Sequence, residues 1–316
     1  MKSTNLITST VAVLCFLSST ALADGALLRA GDLPESDRDV LASWISDAQQ
    51  ADPEPFQVLK RLEAQMPALN AQKRGRFVPV TRSFRHYRHR ALPAIVERLV
   101  FNGGEISTFS EDAKTAYLTG IVQVLGEFVD PRVEPVLHAL LDAPSVTEFH
   151  LVYVVSGALG WHRTAAAERH LLSAAAEPGE RQFGVLAGLG QLHTTSAVER
   201  LAVALRDETD AQRRKWLIRS VRDAGNRGYW RLARTSSDAA EEWSVRLAAM
   251  QVLVDGFVTS TDDVQAAAAN AIMVVDHPDT QARLLQAHNG ASPALQRALE
   301  ALEERFANPP LMRRRR

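Results

Sequence analysis

Cysteine is nearly absent from this sequence: among 316 residues there is a single one, Cys15. A lone cysteine excludes a framework of disulfide bonds and a zinc or iron–sulfur site built from cysteine ligands. An excess of positive charge is also lacking, because 36 Lys+Arg stand against 37 Asp+Glu. The net charge of the chain therefore does not favour nucleic acid as a partner. Aromatic residues make up only 6%, but the 46% hydrophobic and 23% charged residues are typical of a globular chain.

Sequence motifs of the common enzyme classes are missing as well. There is no Gly-x-Ser-x-Gly, no phosphate-binding Gly-x-x-x-x-Gly-Lys-Ser/Thr and no Gly-x-Gly-x-x-Gly. None of the nine histidines is followed by Glu, and their spacing brings no two of them onto one helical face. His138 and His170 lie between apolar residues, which is typical of packing positions. We therefore expect no catalytic residue, no metal site and no cofactor.

The first 23 residues predict a cleavable export signal. A short start with one positive charge, Lys2, precedes an apolar segment at residues 6–17, and small residues follow it up to Ala23. This order is typical of a secretory signal with cleavage after Ala23. The apolar segment is shorter than the ~20 residues that span a bilayer. We expect a periplasmic or secreted protein without a transmembrane segment, unless the signal stays uncleaved and serves as an anchor.

Helical periodicity dominates the rest of the chain, and strand signals are few. Helix starts are indicated where an acid or a hydroxyl precedes proline, as in Asp52-Pro53, Asp130-Pro131 and Ser292-Pro293. Further candidate N-caps are Ser36, Ser110, Thr164, Thr195 or Ser196, and Thr261. The sequence predicts an all-α fold of helices joined by short turns.

A repeat runs through the middle of the chain. Three segments share Leu-Gly, a short turn and a second helix; their glycines are Gly126, Gly160 and Gly190, and Gly225 follows more loosely. The interval of 30–35 residues is typical of stacked helix pairs. Glycine after an apolar helix can adopt a left-handed conformation, so we expect these four to end helices. The acids that recur in the second helices are interpreted as stabilising the helix dipole rather than binding a cation: Glu134, Glu168 and Glu199.

The second helix of these repeats carries the pattern Val-Glu-x-Leu-x-x-Ala-Leu. Residues 133–141 (Val-Glu-Pro-Val-Leu-His-Ala-Leu-Leu) and 198–205 (Val-Glu-Arg-Leu-Ala-Val-Ala-Leu) carry it best. In this the chain resembles the HEAT-like repeats of the phycobilisome-lyase type over residues 110–210, and more weakly over residues 211–306. The resemblance implies a curved α/α superhelix, or solenoid, whose usual role is to bind other proteins and which is occasionally an enzyme.

These patterns divide the chain into five parts. We expect a signal peptide at residues 1–23, an N-terminal helical cap at 24–72, a basic connector at 73–90, the HEAT-like repeat array at 91–307 and a basic C-terminal tail at 308–316. The cap is expected because the terminal unit of a repeat array needs a polar outer face.

The basic connector carries seven Lys/Arg, two His and no acid, with aromatic residues between them, and four arginines follow at residues 313–316 of the tail. Such segments can hold phosphates or anionic lipid head groups. The alternative is that the arginines pair with the acidic remainder of the chain or remain solvated. The candidate binding residues in the connector are Arg82, Arg85, Tyr87, Arg88 and Arg90.

Tryptophans are the remaining candidates for a binding surface. Trp161, Trp216, Trp230 and Trp243 either line a groove or fill the core. Tyr229 and Trp230 are assigned to an irregular turn that also contains Gly225 and Gly228. An irregular turn in a repeat array often marks the functional face.

Three functions remain open. The leading hypothesis is an exported, non-catalytic scaffold that binds a protein or peptide partner through its concave surface. The second is a peripheral envelope protein held on anionic lipid or polysaccharide by the basic connector and the arginine tail. The third is an enzyme of unassigned type, which a pocket with clustered histidines and carboxylates of perturbed pKa would favour. Nucleic acid is not an expected partner.

Overall fold

In a computed structural model, the protein is described over residues 24–73, 78–233 and 239–308. Within these ranges the chain forms helices and turns and no strand, which confirms the predicted all-α fold. The predicted signal with its cleavage site after Ala23, residues 74–77 of the basic connector and the arginines at 313–316 lie outside the described residues. No helix in the described part of the chain is both long and apolar enough to cross a membrane.

The helices follow one another with short connections. In chain order they are α1 (Glu35–Ala51), α2 (Glu54–Gln72), α3 (Leu92–Val96), α4 (Glu111–Glu127), α5 (Glu134–Asp142), α6 (Phe149–His162), α7 (Ala165–Ala176), α8 (Gln182–Gly188), α9 (Thr195–Asp207), α10 (Ala211–Ala224), α11 (Arg227–Ala233), α12 (Ala239–Val258), α13 (Asp262–Val275), α14 (Thr280–Ala287) and α15 (Pro293–Ala307). Helix α3 continues into a π-helical turn, Glu97–Phe101. Short 3₁₀ turns lie at Ala30–Asp32, Val80–Ser83, Arg88–Ala91, Ile106–Thr108 and Leu189–Leu192.

Side chains before several helices accept a hydrogen bond from the backbone of the first turn, as N-caps do. Ser110, Thr164 and Ser292 do so at 3.0–3.3 Å, as predicted. Asp210 before α10 and Glu148 before α6 are caps that the sequence reasoning did not identify. Local hydrogen bonding therefore sets many of the helix boundaries.

Other predicted helix starts are displaced. Helix α1 begins at Glu35, before the predicted cap, and Thr194 caps α9 by accepting from the backbone of Ala197 at 3.3 Å. At these places a neighbouring residue, rather than the predicted one, precedes the first helical residue. The displaced predictions are Ser36, Asp52, Asp130, and Thr195 or Ser196.

From α4 to α13 the helices alternate between two rows. The first row contains α4, α6, α8 with the turn Leu189–Leu192, α10 and α13, and each member packs closely against the next. The second row contains α5, α7, α9 and α12, of which α5, α7 and α9 contact one another far less extensively. A continuous hydrophobic core runs between the rows and includes the packed faces of α1 and α2. The HEAT-like type of the repeat stays a prediction.

The recurring glycines lie where successive first-row helices touch. A Cβ atom on Gly126 would stand 2.8 Å from Cα of Ala158, and one on Gly190 would overlap the carbonyl oxygen of Ser220. A side chain of any size would therefore push the two backbones apart. Only glycine allows this close approach.

The prediction that these glycines adopt the left-handed conformation is wrong. The left-handed residues are Arg163 at the end of α6, with φ of 52°, and His193 after the turn Leu189–Leu192, with φ of 53°. Gly225 has φ of −92°, an ordinary value for any residue. Gly225 does end α10 as its C-cap, as predicted. Gly126, Gly160 and Gly190 instead lie at close contacts between neighbouring repeats.

A buried ion pair connects the N-terminal helices to the rest of the fold. Nε of Arg98, in the π-helical turn after α3, lies 2.6 Å from a carboxylate oxygen of Glu63 on α2. The hydroxyl of Tyr117 on α4 donates to the same carboxylate. Burial, followed by the charge of Glu63, raises the pKa of the Tyr117 hydroxyl, so it remains a donor. All three side chains are withdrawn from solvent.

Candidate functional site

A groove crosses the solvent side of the first row. It consists of two adjoining cavities of about 380 and 320 Å³, which share Gln123, Tyr153 and Val154 as lining residues. One cavity extends along α6 to Trp161 and Gln191, and the other extends between residues 78–81 and α10. The side chains that define this groove are those of Val80, Gln123, Tyr153, Val154, Trp161, Gln191, Trp216 and Arg219.

Aromatic rings from α6, α8 and α10 form a cluster along the groove. The ring centres of Tyr153 and Trp216 are 5.3 Å apart, and Phe149 lies 5.1 Å from Trp216 and 5.2 Å from Phe183. The guanidinium of Arg219 lies 5.2 Å from the centre of the Trp216 ring. Burial raises the pKa of the Tyr153 hydroxyl. The cluster therefore presents apolar ring faces together with a neutral hydroxyl and a cation.

A second aromatic cluster closes the other end of the groove. The rings of His193 and Tyr229 are stacked with centres 3.4 Å apart, and Trp161 meets Tyr229 edge-on at 5.5 Å. Trp161 remains 40% exposed. The groove thus ends on a tryptophan whose orientation is fixed by two rings behind it.

His193 is a neutral, structural member of this cluster. Its Nδ1 lies 3.1 Å from the carbonyl oxygen of Ala224, and because a carbonyl only accepts, Nδ1 carries the proton. Burial lowers the pKa of His193 to about 3. The lone pair of Nε2 is therefore available, although it is buried and accepts no hydrogen bond from the described residues.

Tyr229 and Trp230, predicted to lie in an irregular turn, belong to helix α11 and have different environments. Trp230 is fully buried, and its Nε1 donates to the carbonyl of Ala224 at 3.1 Å. It is a core residue and offers no surface to a partner, which corrects its selection as a binding residue. Tyr229 is half-buried and reaches the groove only through its edge contact with Trp161.

Two of the connector candidates hold this segment against α2. The hydroxyl of Tyr87 donates to Glu54 at 2.8 Å, and Nε of Arg90 donates to Asp52 at 2.7 Å. The hydrogen bond from Arg90 lowers the pKa of the Asp52 carboxyl. Tyr87 is also buried, so Tyr87 and Arg90 anchor the connector rather than face a partner.

The other connector candidates face the solvent. Arg82, Arg85 and Arg88 are exposed, and none of them forms an ion pair with a residue that the structure describes. Phe84 between them is fully buried. Arg88 has a left-handed φ of 52°, which is uncommon for a residue other than glycine. The structure therefore divides the basic connector into two anchors, the buried Tyr87 and the exposed Arg90, and three arginines without an ion pair in the described chain.

The sequence reasoning missed a cluster of histidines and carboxylates on the second row. Nδ1 of His138 on α5 lies 2.6 Å from Nδ1 of His170 on α7. The outer nitrogen of His170 lies 2.9 Å from Asp142, and that of His138 lies 3.4 Å from Glu134. Glu134 also lies 3.9 Å from His162. Glu134, read from the sequence as an acid of a helix start, is thus the centre of a polar cluster.

Sequence spacing could have indicated this pair. His138 and His170 are 32 residues apart, which is one repeat interval, so facing positions on adjacent second-row helices were available to them. The sequence reasoning compared histidines only within single helices. Burial lowers the pKa of both His138 and His162.

The side chains of these sites differ in what they can bind. Among the described residues, no group of three or more His, Cys, Asp or Glu side chains is arranged to hold a metal ion. The groove instead offers ring faces, two amide side chains and a guanidinium, groups suited to an extended polypeptide. In comparisons with known proteins, no family matches the chain and no curated protein matches its sequence.

Proposed function

We propose that the protein is an exported, non-catalytic scaffold of HEAT-like repeats that binds a protein or peptide partner through the groove. The observation that carries the proposal is the aromatic surface shared by successive first-row helices, with Tyr153 and Trp216 in contact at 5.3 Å. Large, partly exposed rings beside an arginine are the composition typical of interface hot spots.

The dimensions of the groove support a peptide rather than a small molecule. Its two cavities adjoin end to end and both open to solvent, so they form a channel instead of an enclosed pocket. Gln123 and Gln191 supply amide groups along the channel, which can pair with the backbone of an extended segment. The export part of the proposal is supported by the order of charge, apolar segment and small residues before Ala23.

A second candidate function is attachment to anionic lipid or polysaccharide in the envelope. It is favoured by the exposure of Arg82, Arg85 and Arg88, which lack ion pairs within the described chain. Each basic residue near an anionic membrane surface contributes about 1 kcal/mol. Such binding would weaken steeply with salt.

The enzyme alternative has a specific candidate in the histidine cluster, because His170 and Asp142 line a cavity of about 320 Å³ that also contains Ser173. Both ring nitrogens of His170 are engaged, one with Asp142 and one with His138. No nitrogen of His170 is left to accept a proton from a nucleophile. We therefore favour the binding function.

The test is capture of partners by the tagged protein in its native cells, at low and high salt. Trp216→Ala removes the main ring of the groove, and Trp243→Ala is the control because Trp243 is 45% exposed on α12 of the second row. Circular dichroism establishes that both variants fold. A partner lost with Trp216→Ala and retained with Trp243→Ala supports the groove. A partner that both variants retain contradicts it.

Membrane association tests the second candidate. Sedimentation with membranes that disappears at high salt, and in the double variant Arg82→Glu with Arg85→Glu, would support attachment through the connector. If no protein partner were captured in the same cells, that result would replace the scaffold proposal.

A further inference from the structure

The cation that lines the groove is left without a counter-charge. Arg219 stacks over Trp216, and it forms no ion pair with any residue in the described part of the chain. The other cations of α10 are engaged, in these pairs: Arg213 with Glu208, Lys215 with Asp263, Arg222 with Asp223, and Arg214 with the hydroxyl of Ser260. Arg219 is thus distinguished from its neighbours on the same helix.

Arg219 contacts both parts of the groove. It lines the cavity that contains Trp161, and its guanidinium lies 5.2 Å from the ring of Trp216, which lines the other cavity. The walls of the Trp216 end include residues 78–81, which precede the exposed Arg82 and Arg85. No carboxylate is among its lining residues. The nearby Glu148 is engaged with the backbone of Leu151 at 2.9 Å and with His150 at 3.0 Å.

The carboxylates near Arg219 are engaged with other groups. Glu127 lines the same cavity beside Trp161, where it accepts a hydrogen bond from Gln123 at 3.2 Å. Asp223 lies near Gln191 at 3.4 Å, but Arg222 neutralises it at 2.5 Å. A ligand that spans the groove therefore meets the unpaired cation Arg219 beside the ring of Trp216.

The shape of the groove decides between anionic ligands. Tyr153 and Trp216 are only partly exposed within a channel, so a flat lipid surface would leave their rings uncovered. Inorganic phosphate would satisfy Arg219 but not the apolar lining. An extended peptide satisfies both, because it carries apolar side chains and carboxylates on one backbone.

We infer that the groove binds an extended peptide segment that carries an acidic residue and apolar side chains, the latter covering Tyr153, Trp161 and Trp216. The inference rests on the proposed function and adds the charge of the partner. A carboxylate of the segment pairs with Arg219, the cation of the groove that forms no ion pair within the described chain.

The experiment uses a random peptide library displayed on phage and selected on the purified chain. We expect the selected peptides to be enriched in Asp and Glu together with large apolar residues. Enrichment in Lys or Arg, or the absence of any selected sequence, would overturn the inference.

A selected peptide, fluorescently labelled, is then titrated against variants. Arg219→Glu is expected to weaken binding roughly tenfold or more, because attraction is replaced by repulsion, and Arg219→Lys is expected to retain most of the affinity. The control is Arg169→Glu, since Arg169 is exposed on α7 of the second row. Equal affinity for Arg219→Glu and for the control would contradict the assigned role of Arg219.

The two proposals fail separately. If cellular partner capture is lost with Trp216→Ala but unaffected by Arg219→Glu, the groove binds a partner that is not acidic, and only this inference is wrong. If vesicles of phosphatidylglycerol bind the chain and no peptide is selected, the acidic peptide is replaced by a lipid surface.

Discussion

Nδ1 of His138 and Nδ1 of His170 lie 2.6 Å apart between two nearly parallel rings. One of these atoms must donate and the other accept, so a single proton occupies the space between them. The outer nitrogens face Asp142 and Glu134, which only accept when ionised. All four ring nitrogens have a hydrogen-bond partner when the two rings together carry one positive charge. A second positive charge would place two N–H groups against each other.

This pair predicts a loss of stability in acid. Burial, followed by the charge of His170, lowers the pKa of His138. Because the unfolded chain binds the proton at higher pH than the folded one, the free energy of unfolding should fall as pH drops below about 6.5. The groups that face the pair are Glu134, Asp142 and His162, and the carboxylates oppose the effect of burial.

The measurement is the urea midpoint of unfolding at a series of pH values from 7 to 5. The variant His138→Gln should lose less stability over this range than the original protein. His86→Gln serves as the control, because His86 is exposed on the connector. An identical pH slope in His138→Gln and in the original protein would show that the pair does not titrate on unfolding.

His193 predicts a further loss of stability in acid. Its pKa is lowered to about 3 by burial, whereas an unfolded histidine titrates near 6.5. At pH 5 this difference costs the folded state about 2 kcal/mol relative to neutral pH. His193→Asn should remove that part of the pH dependence, since asparagine tolerates the left-handed backbone at this position. Thermal unfolding at both pH values tests it, and an unchanged loss in the variant would contradict the assignment.

The helix contact at Gly190 predicts a strong sensitivity to one methyl group. Gly190→Ala places a Cβ against the carbonyl of Ser220, so the two helices must separate, at a cost of about 1–3 kcal/mol. Gly179→Ala is the matched control, because nothing lies near a Cβ added there. Urea unfolding of both variants should separate them clearly. Similar midpoints for the two variants would mean that the helices separate at Gly190 at little cost in stability.

The buried pair of Glu63 and Arg98 predicts non-additive effects. Arg98→Met leaves the carboxylate of Glu63 buried with only the Tyr117 hydroxyl as a donor among these three groups, and breaking such a pair costs about 3–5 kcal/mol. Adding Glu63→Gln to Arg98→Met should restore part of that stability, because it removes the uncompensated charge. Denaturant unfolding of the single and double variants checks this. A double variant less stable than either single one would contradict it.

The sequence was sufficient where structure is decided locally. Helical periodicity predicted an all-α fold, and Ser110, Thr164 and Ser292 cap the helices they precede because each hydrogen bond spans only three residues. Thr195 failed as a cap because Thr194, the preceding residue in a run of hydroxyl side chains, accepts the hydrogen bond. The N-caps of the other displaced helices lie one to three residues from the predicted caps.

Features that depend on contacts between neighbouring repeats could not be predicted from local sequence. Gly190 is required by Ser220, and His138 by His170, and in both cases the partner comes from the next unit of the array. The pairing of Tyr153 with Trp216 in the groove could not be predicted for the same reason, since the two residues belong to helices separated by three others along the chain. Trp230 was misjudged because an irregular turn indicates neither burial nor exposure.

The glycine contacts also set the spacing of the first-row helices. Successive first-row helices meet backbone to backbone at Gly126 and Gly190, whereas α5, α7 and α9 on the opposite side touch only lightly. The groove lies along the closely packed row. A larger separation at Gly190 would move α10 away from the preceding helices of this row and carry Trp216 away from Tyr153. The spacing of two helices at one glycine and the affinity of the groove for a ligand would then change together.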